Sequence, residues 1–308
     1  MMGKAAFIFP GQGAQYIGMG KDFYEQIPAS REMFELASEA SGLDIAALCF
    51  EENEKINITE YTQIAMLAME AAVLKAVEER GYRPDVTAGL SLGEYGAIIA
   101  AGAMKAEDVF RVVRKRGIFM QEAVPEGGAM VAVLGLDASV VEEICAETEG
   151  MIDIANYNCP GQVVITGESG AAEKAVQALK TAGAKRCVPL NVSGPFHSCM
   201  LKGAGEKLSQ ELAAITVYDI SVPYLANVTA DYVTDKEQIK PLLTHQVASP
   251  VRWQQSVERM IKDGTDVFVE IGPGKALSGF MRKINRNIKT LNVEKVEDLE
   301  KLLSLKGE

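Results

Sequence analysis

Short apolar runs alternate with longer stretches of helical periodicity along this chain. Residues 5–9 are apolar and end in a Pro-Gly-rich loop, which predicts a strand. Thr59 can cap a helix reaching about residue 80, where Ile64, Leu67, Ala71 and Leu74 recur at helical spacing. A second short strand is predicted over 86–89, followed by helices over 94–101 and about 106–122. Gly127-Gly128 marks a change of pattern. Strands are then predicted over 129–136, 151–156, 162–167 and 185–192, with helices over 138–148 and 171–182. That order is βαββαβ, the signature of a ferredoxin-like unit. After Gly194-Pro195 the alternation resumes, with strands over 222–228, 267–271 and 288–293 and helices between them. Alternation on both sides of an insert predicts an α/β fold with a mostly parallel sheet. Residues 1–127 and 196–308 would form the large subdomain, and residues 128–195 the small one.

Composition narrows the function. The 308 residues are 48% hydrophobic, ample for a packed core, and no stretch reads as a spanning helix of roughly 20 apolar residues. The beginning of the chain lacks a long apolar signal region, so a cytoplasmic protein with no membrane partner is expected. A formal net charge of −11 argues against nucleic acid as a partner. Cys49, Cys145, Cys159, Cys187 and Cys199 are scattered, odd in number and without a CxxC pair, so reduced thiols are expected and a structural zinc site is not. Only two histidines are present, His197 and His245. A three-histidine metal site is excluded, and any histidine base must be one of these two.

Gly89-Leu90-Ser91-Leu92-Gly93 matches the G-x-S-x-G nucleophile elbow and has the required context, a strand before it and a helix after it. The Leu92 amide would then sit at a helix N-terminus, aimed at a developing oxyanion. Serine needs a neighbouring base. His197, in a loop just past a predicted strand, is favoured over His245, which falls inside a helical pattern. The loop Phe9-Pro10-Gly11-Gln12-Gly13-Ala14-Gln15 fits neither a P-loop nor G-x-G-x-x-G. It suits a close-approach loop giving a second amide to an oxyanion hole, or a tight turn before a helix. Arg116 shares the helical stripe of Val109, Val113 and Met120. A buried guanidinium needs an anionic partner. An internal salt bridge and capture of a substrate carboxylate both satisfy that need, and the spacing leaves both open.

Together these residues resemble the bacterial malonyl-CoA:acyl carrier protein transacylases and the related acyltransferase domains of polyketide and fatty acid synthases. The resemblance spans nearly the whole chain. It runs through FPGQGAQ, GLSLGEY around Ser91, RGIFMQEAVPEGGAM from Arg116, NCPGQVVITG from Asn158, GPFHS around His197, PVRW before Gln254 and EIGPGKALSG from Glu270. It implies an α/β hydrolase-like large subdomain carrying a ferredoxin-like insert. It implies Ser91 as nucleophile and His197 as general base, oriented by the backbone carbonyl of Gln246, with His245 a bystander. The amides of Gln12 and Leu92 would form the oxyanion hole. Arg116 would pair with the malonyl carboxylate, Gln63 and Asn158 would lie near the substrate, and Phe196 matches the malonyl-selective form.

The implied reaction is ping-pong transfer from malonyl-CoA to the phosphopantetheine thiol of an acyl carrier protein, with no metal or cofactor. Relatives are commonly monomers. Alternatives are a polyketide-pathway acyltransferase of relaxed acyl specificity and a serine thioesterase or hydrolase. Leu90 stands where many relatives carry histidine, which removes a polar group near the acyl pocket and bears on affinity, hydrolytic leakage and malonyl preference. Lys275, Arg282, Lys283, Arg286 and Lys289 form a basic cluster in an acidic chain, expected in part near the cleft mouth, where it would steer an acidic carrier.

Overall fold

A computed structural model describes residues 3–305. In chain order the elements are β1 (Lys4–Phe9), α1 (Lys21–Gln26), α2 (Pro28–Ser41), α3 (Ile45–Phe50), α4 (Thr59–Glu79), β2 (Val86–Gly89), α5 (Gly93–Ala100), α6 (Ala106–Ala123), β3 (Gly128–Leu134), α7 (Ala138–Glu147), β4 (Ile152–Cys159), β5 (Gln162–Glu168), α8 (Ser169–Thr181), β6 (Arg186–Pro189), α9 (Lys202–Ala213), β7 (Tyr224–Ala226), β8 (Asp231–Tyr232), α10 (Ile239–Gln246), α11 (Trp253–Lys262), β9 (Thr265–Ile271), α12 (Ala276–Ile284) and β10 (Lys289–Val293). No helix among the described residues is long and apolar enough to cross a membrane.

The larger sheet has the order β10-β9-β1-β2-β7-β8. All its neighbours are parallel except the β7–β8 pair. Parallel strands covered on both faces read as continuous apolar runs. β1 shows this, with Ala6, Phe7, Ile8 and Phe9 all buried. Phe7 and Phe9 face a core that contains α4 and α6, while Ala6 and Ile8 face Trp253, Val257 and Met260 of α11 and Leu277 and Met281 of α12. The second sheet is antiparallel, in the order β4-β5-β3-β6. That is the ferredoxin-like arrangement the βαββαβ pattern predicts. Val131, Ile154 and Ile165 pack under α7 and α8, while the alternating Met130, Ala155 and Val164 join the main core. Val251, just before α11, bonds to Ala155 and Tyr157 of β4 and so ties the small sheet to the large one.

α4 is more deeply placed than its predicted stripe suggests. Every residue from Thr62 to Leu74 is buried, so the helix is a central rod covered on all sides. Thr59 is not its cap. Ile58 holds that position without a side-chain bond, and the Thr59 hydroxyl instead turns toward Gln12 and Ser193. Three strands also differ from expectation. β4 runs on to Cys159, because Tyr157 and Cys159 keep their pairing with β5 through polar residues that break the apolar pattern. β6 stops at Pro189, which lacks a donor, on an edge paired only to β3. β7 shrinks to three residues between Pro223 and Asn227, whose side chain serves the site described below.

α6 approaches α4 closely at one point. A Cβ on Gly117 would lie 2.9 Å from Glu60 Cα and 3.2 Å from the Thr59 carbonyl oxygen. This contact places the neighbouring Arg116 beside Gln63. Gly117→Ala should therefore force the helices apart, at a cost of about 1–3 kcal/mol. Calorimetry should show a melting temperature lower by several degrees. An unchanged melting temperature would mean that the helices separate freely.

Candidate active site

The C-terminal ends of β1 and β2 carry the site, where open α/β sheets bind their ligands. After Gly89 the chain turns sharply, and Ser91 takes a left-handed backbone with φ +54°. The turn depends on two missing side chains. A methyl group at Gly89 would run into the Gly93 carbonyl, and one at Gly93 would run into Phe9 at the end of β1. A non-glycine residue in this region costs about 1–3 kcal/mol and must be held by its surroundings. Here the holders are polar. Asn227 Oδ1 accepts from the Ser91 amide at 2.6 Å, and Asn227 Nδ2 donates to the Gly89 carbonyl at 2.6 Å. Gln246 Nε2 donates to the Ser91 carbonyl at 2.9 Å.

His197 also has a positive φ, +60°, and is buried. Its amide donates to the Val247 carbonyl, which aims the ring at Ser91. Nδ1 lies 2.9 Å from the Gln246 carbonyl oxygen and 3.1 Å from that of Ser249. Carbonyls only accept, so Nδ1 carries the proton and Nε2 presents its lone pair. Nε2 lies 2.8 Å from Ser91 Oγ. Burial first, and the Arg116 charge second, hold the imidazole down at about 4, while the two carbonyls pull the other way. The ring is therefore neutral near pH 7 and able to take a hydroxyl proton.

Arg116 is 1% exposed. Nη1 donates to Gln63 Oε1 at 2.7 Å, and Nη2 donates to Gln246 Oε1 at 2.9 Å and to Ser91 Oγ at 3.1 Å. The guanidinium lies 5.4 Å from the centre of the Tyr95 ring. Its partners are neutral, and no described carboxylate forms an ion pair with it. Of the two options left by its spacing, a direct internal salt bridge is thus removed. Burial lowers its pKa from the usual arginine value.

Ser91, His197, Arg116 and Gln63 converge on a cavity of about 90 Å³, with Gln12 and Leu92 beside the serine. Leu90, Met120, Met130, Val192 and Phe196 make its apolar wall. The Gln12 side chain donates to Thr59 Oγ1, which in turn bonds Ser193 Oγ at 2.7 Å. The glycine loop, α4 and the segment returning from the small sheet are thereby joined. Gln246 lies behind the cavity, and His245 is exposed at the end of α10. Among the described residues, no group of three or more His, Cys, Asp or Glu side chains could hold a metal ion.

Asn156 of β4, not Asn158, lines the cavity. Asn158 is buried in the same strand, and its Oδ1 has no hydrogen-bond partner. Sequence reasoning also missed Asn227, Glu94 and the Gln246 side chain. Glu94 gave one signal, an acid buried in the first turn of an otherwise apolar helix. Asn227 gave none. The five thiols are free; burial pushes Cys49 and Cys145 up to about 12. Lys275, Arg282, Lys283 and Arg286 are exposed along and beside α12, while Lys289 is half-buried in β10. The start of α12 adjoins the glycine loop, since a Cβ on Gly274 would lie 3.4 Å from that of Ala14.

Comparison with known proteins agrees with this geometry. The acyl transferase domain family matches residues 6–299. A malonyl CoA-acyl carrier protein transacylase of Bacillus subtilis (strain 168) is 47% identical over 304 residues, covering 97% of this chain and 96% of the relative. The crystal structure of MCAT from Streptococcus pneumoniae superposes with a TM-score of 0.94 at 47% identity, covering 98% of this chain and 99% of that one. A malonyl-transacylase solved in complex with a type II polyketide-synthase acyl carrier protein gives a TM-score of 0.95 at 38% identity, covering 98% and 99%. The chain belongs to the acyl transferase family and, within it, to the malonyl CoA-acyl carrier protein transacylases.

Proposed function

We propose that this acyltransferase moves a malonyl group from malonyl-CoA to the phosphopantetheine thiol of an acyl carrier protein, by a ping-pong mechanism through a malonyl ester on Ser91. The observation that carries this is the buried guanidinium of Arg116 in the same small cavity as the paired Ser91 and His197. His197 Nε2 takes the Ser91 proton as Oγ attacks the thioester carbonyl. The amides of Gln12 and Leu92 stabilise the oxyanion, in the manner of a helix N-terminus facing developing charge. CoA leaves as the thiol, with the proton returned by His197. The carrier thiol then attacks the ester, His197 accepts its proton, and Ser91 Oγ leaves protonated. The reaction exchanges an acyl group between sulfur and oxygen with no net oxidation, so it calls for no redox cofactor.

Arg116 binds the free malonyl carboxylate through its planar fork. An acetyl group would leave that charge unanswered in a dry site. Asn156 joins Gln63 in lining the acyl pocket, and Phe196 and Leu90 complete an apolar wall. One chain supplies the whole site, in keeping with a monomer acting in the cytoplasm. The exposed cations of α12 face solvent without an ion pair among the described residues, which suits an acidic carrier.

Intact-protein mass spectrometry after brief exposure to malonyl-CoA should show one added malonyl group, lost in Ser91→Ala. An unmodified wild type would overturn the proposal, and release of free malonate faster than thiol transfer would assign a hydrolase. Arg116→Ala should shift loading toward acetyl over malonyl by roughly 10- to 100-fold. Charge reversal at Arg282 and Lys283 should raise KM for the carrier and leave transfer to a small thiol unchanged; equal effects on both acceptors would remove α12 from the docking surface.

The acid limb of the reaction gives an independent check. The folded imidazole is held at about 4 rather than 6.5, so it stays a base until the pH falls through about 4. Single-turnover acylation should be level from pH 7 to about 5 and then fall with decreasing pH. Arg116→Met removes one of the two causes of the low value, so its limb should move upward, toward neutrality. A wild-type limb centred at 6.5 would show that His197 is not held in this way.

A further inference from the structure

Arg116 poses an electrostatic problem that its own contacts do not solve. A fully buried guanidinium needs a compensating negative charge. Its hydrogen-bond partners are two carboxamides and a hydroxyl. Three other carboxyl groups are fully buried in the fold, Glu70, Glu94 and Glu270, and Glu270 is taken up by the start of α12, where it accepts from the Leu277 and Ser278 amides. Neither oxygen of Glu70 has a hydrogen-bond partner, and burial drives its pKa well up, which disfavours the charged form. Glu94 differs. Its Oε2 accepts from Gln246 Nε2 at 2.7 Å and from the Asn227 amide at 3.1 Å. The same Gln246 carboxamide accepts from Arg116 Nη2 through its oxygen. One polarised amide thus links the two charged groups, with its oxygen toward the cation and its nitrogen toward the anion.

We infer that Glu94 is the resident counter-ion of Arg116, coupled to it through the Gln246 carboxamide. The arrangement has a purpose that a direct salt bridge would defeat. A carboxylate paired with the guanidinium would occupy the fork that the substrate needs. A counter-ion one amide away offsets the buried charge and leaves the fork to neutral, displaceable partners. Glu94 is a positioning residue in this scheme: its side chain does not line the cavity or meet the Ser91 hydroxyl, and only its backbone amide bonds the Ser91 carbonyl. It also braces the elbow, since Gln246 and Asn227 hold the Ser91 carbonyl and amide. Burial lifts the Glu94 carboxyl to about 7, against the pull of Gln246, the Asn227 amide and Arg116. The test therefore belongs at pH 8, where the carboxylate predominates.

The inference rests on the proposal that Arg116 receives the substrate carboxylate, and two readouts separate them. The first is a thermal-stability cycle without substrate. Glu94→Gln keeps the shape and removes the charge, and should lower the melting temperature by about 5 °C or more. In an Arg116→Met background the same change should cost less than half as much, because no buried cation is then stranded. Should Glu94→Gln fail to fold, the double variant should still be recovered folded. Additive losses, or an equally unfolded double variant, would overturn the inference. The second readout is loading. With its resident counter-ion gone, Arg116 should favour the malonyl carboxylate more strongly, so KM for malonyl-CoA should fall relative to that for acetyl-CoA by at least threefold. A bracing role alone would reduce kcat for both and leave the KM ratio unchanged, which would also overturn it. Absence of malonyl loading in the wild type would instead defeat the functional proposal, with the stability cycle still standing as a test of charge coupling.

Discussion

The Gln246 carbonyl accepts the His197 Nδ1 proton, and the same residue's carboxamide touches Arg116, the Ser91 carbonyl and Glu94. The His197 imidazole, the Arg116 guanidinium and the Ser91 backbone therefore share one anchor at the C-terminus of α10. Such a network is only as good as its least satisfied member, because an unmatched polar group in a dry interior costs more than a made bond returns. The surrounding fold supplies the dryness. α5 packs on β1 and β2 and against α4 and α6, whose own contact is closed by Gly117, and the small sheet brings Asn156 against the opening. Moving α10 by a fraction of an ångström would disturb every functional group at once.

Local chemistry made part of this visible in the sequence. The elbow could be found because its glycines, its strand and its helix are contiguous, and because close approach leaves no other residue type at Gly89 and Gly93. The βαββαβ unit could be found because its alternation is regular and its strand order follows. What escaped was contact at long sequence separation. Asn227 meets Ser91 across 136 residues, and the Gln246 side chain meets it across 155. No period or spacing encodes such pairs. Thr59 shows the same limit in reverse: its residue type suits a cap, but tertiary partners took the hydroxyl. The resemblance points to Asn158, whereas position along β4 brings Asn156 to the cavity.

The charge distribution follows a consistent logic. The chain carries a net charge of −11, yet its active cavity contains one buried cation and no acid on its lining. Neutral histidine is a consequence, since a positive imidazolium beside Arg116 would be doubly disfavoured. A neutral imidazole beside a permanent cation leaves the cavity with one positive charge.

Both Ser91 and His197 occupy the left-handed backbone region that only glycine adopts freely. The choice of side chain at position 91 is restricted in consequence. Cysteine has a single substituent on Cβ and could take over the serine position without moving the main chain. Threonine carries a second one, and branched side chains are the least compatible with this backbone. The fold thus disfavours threonine here before any question of reactivity arises, and leaves sulfur as the accessible chemical alternative at this elbow.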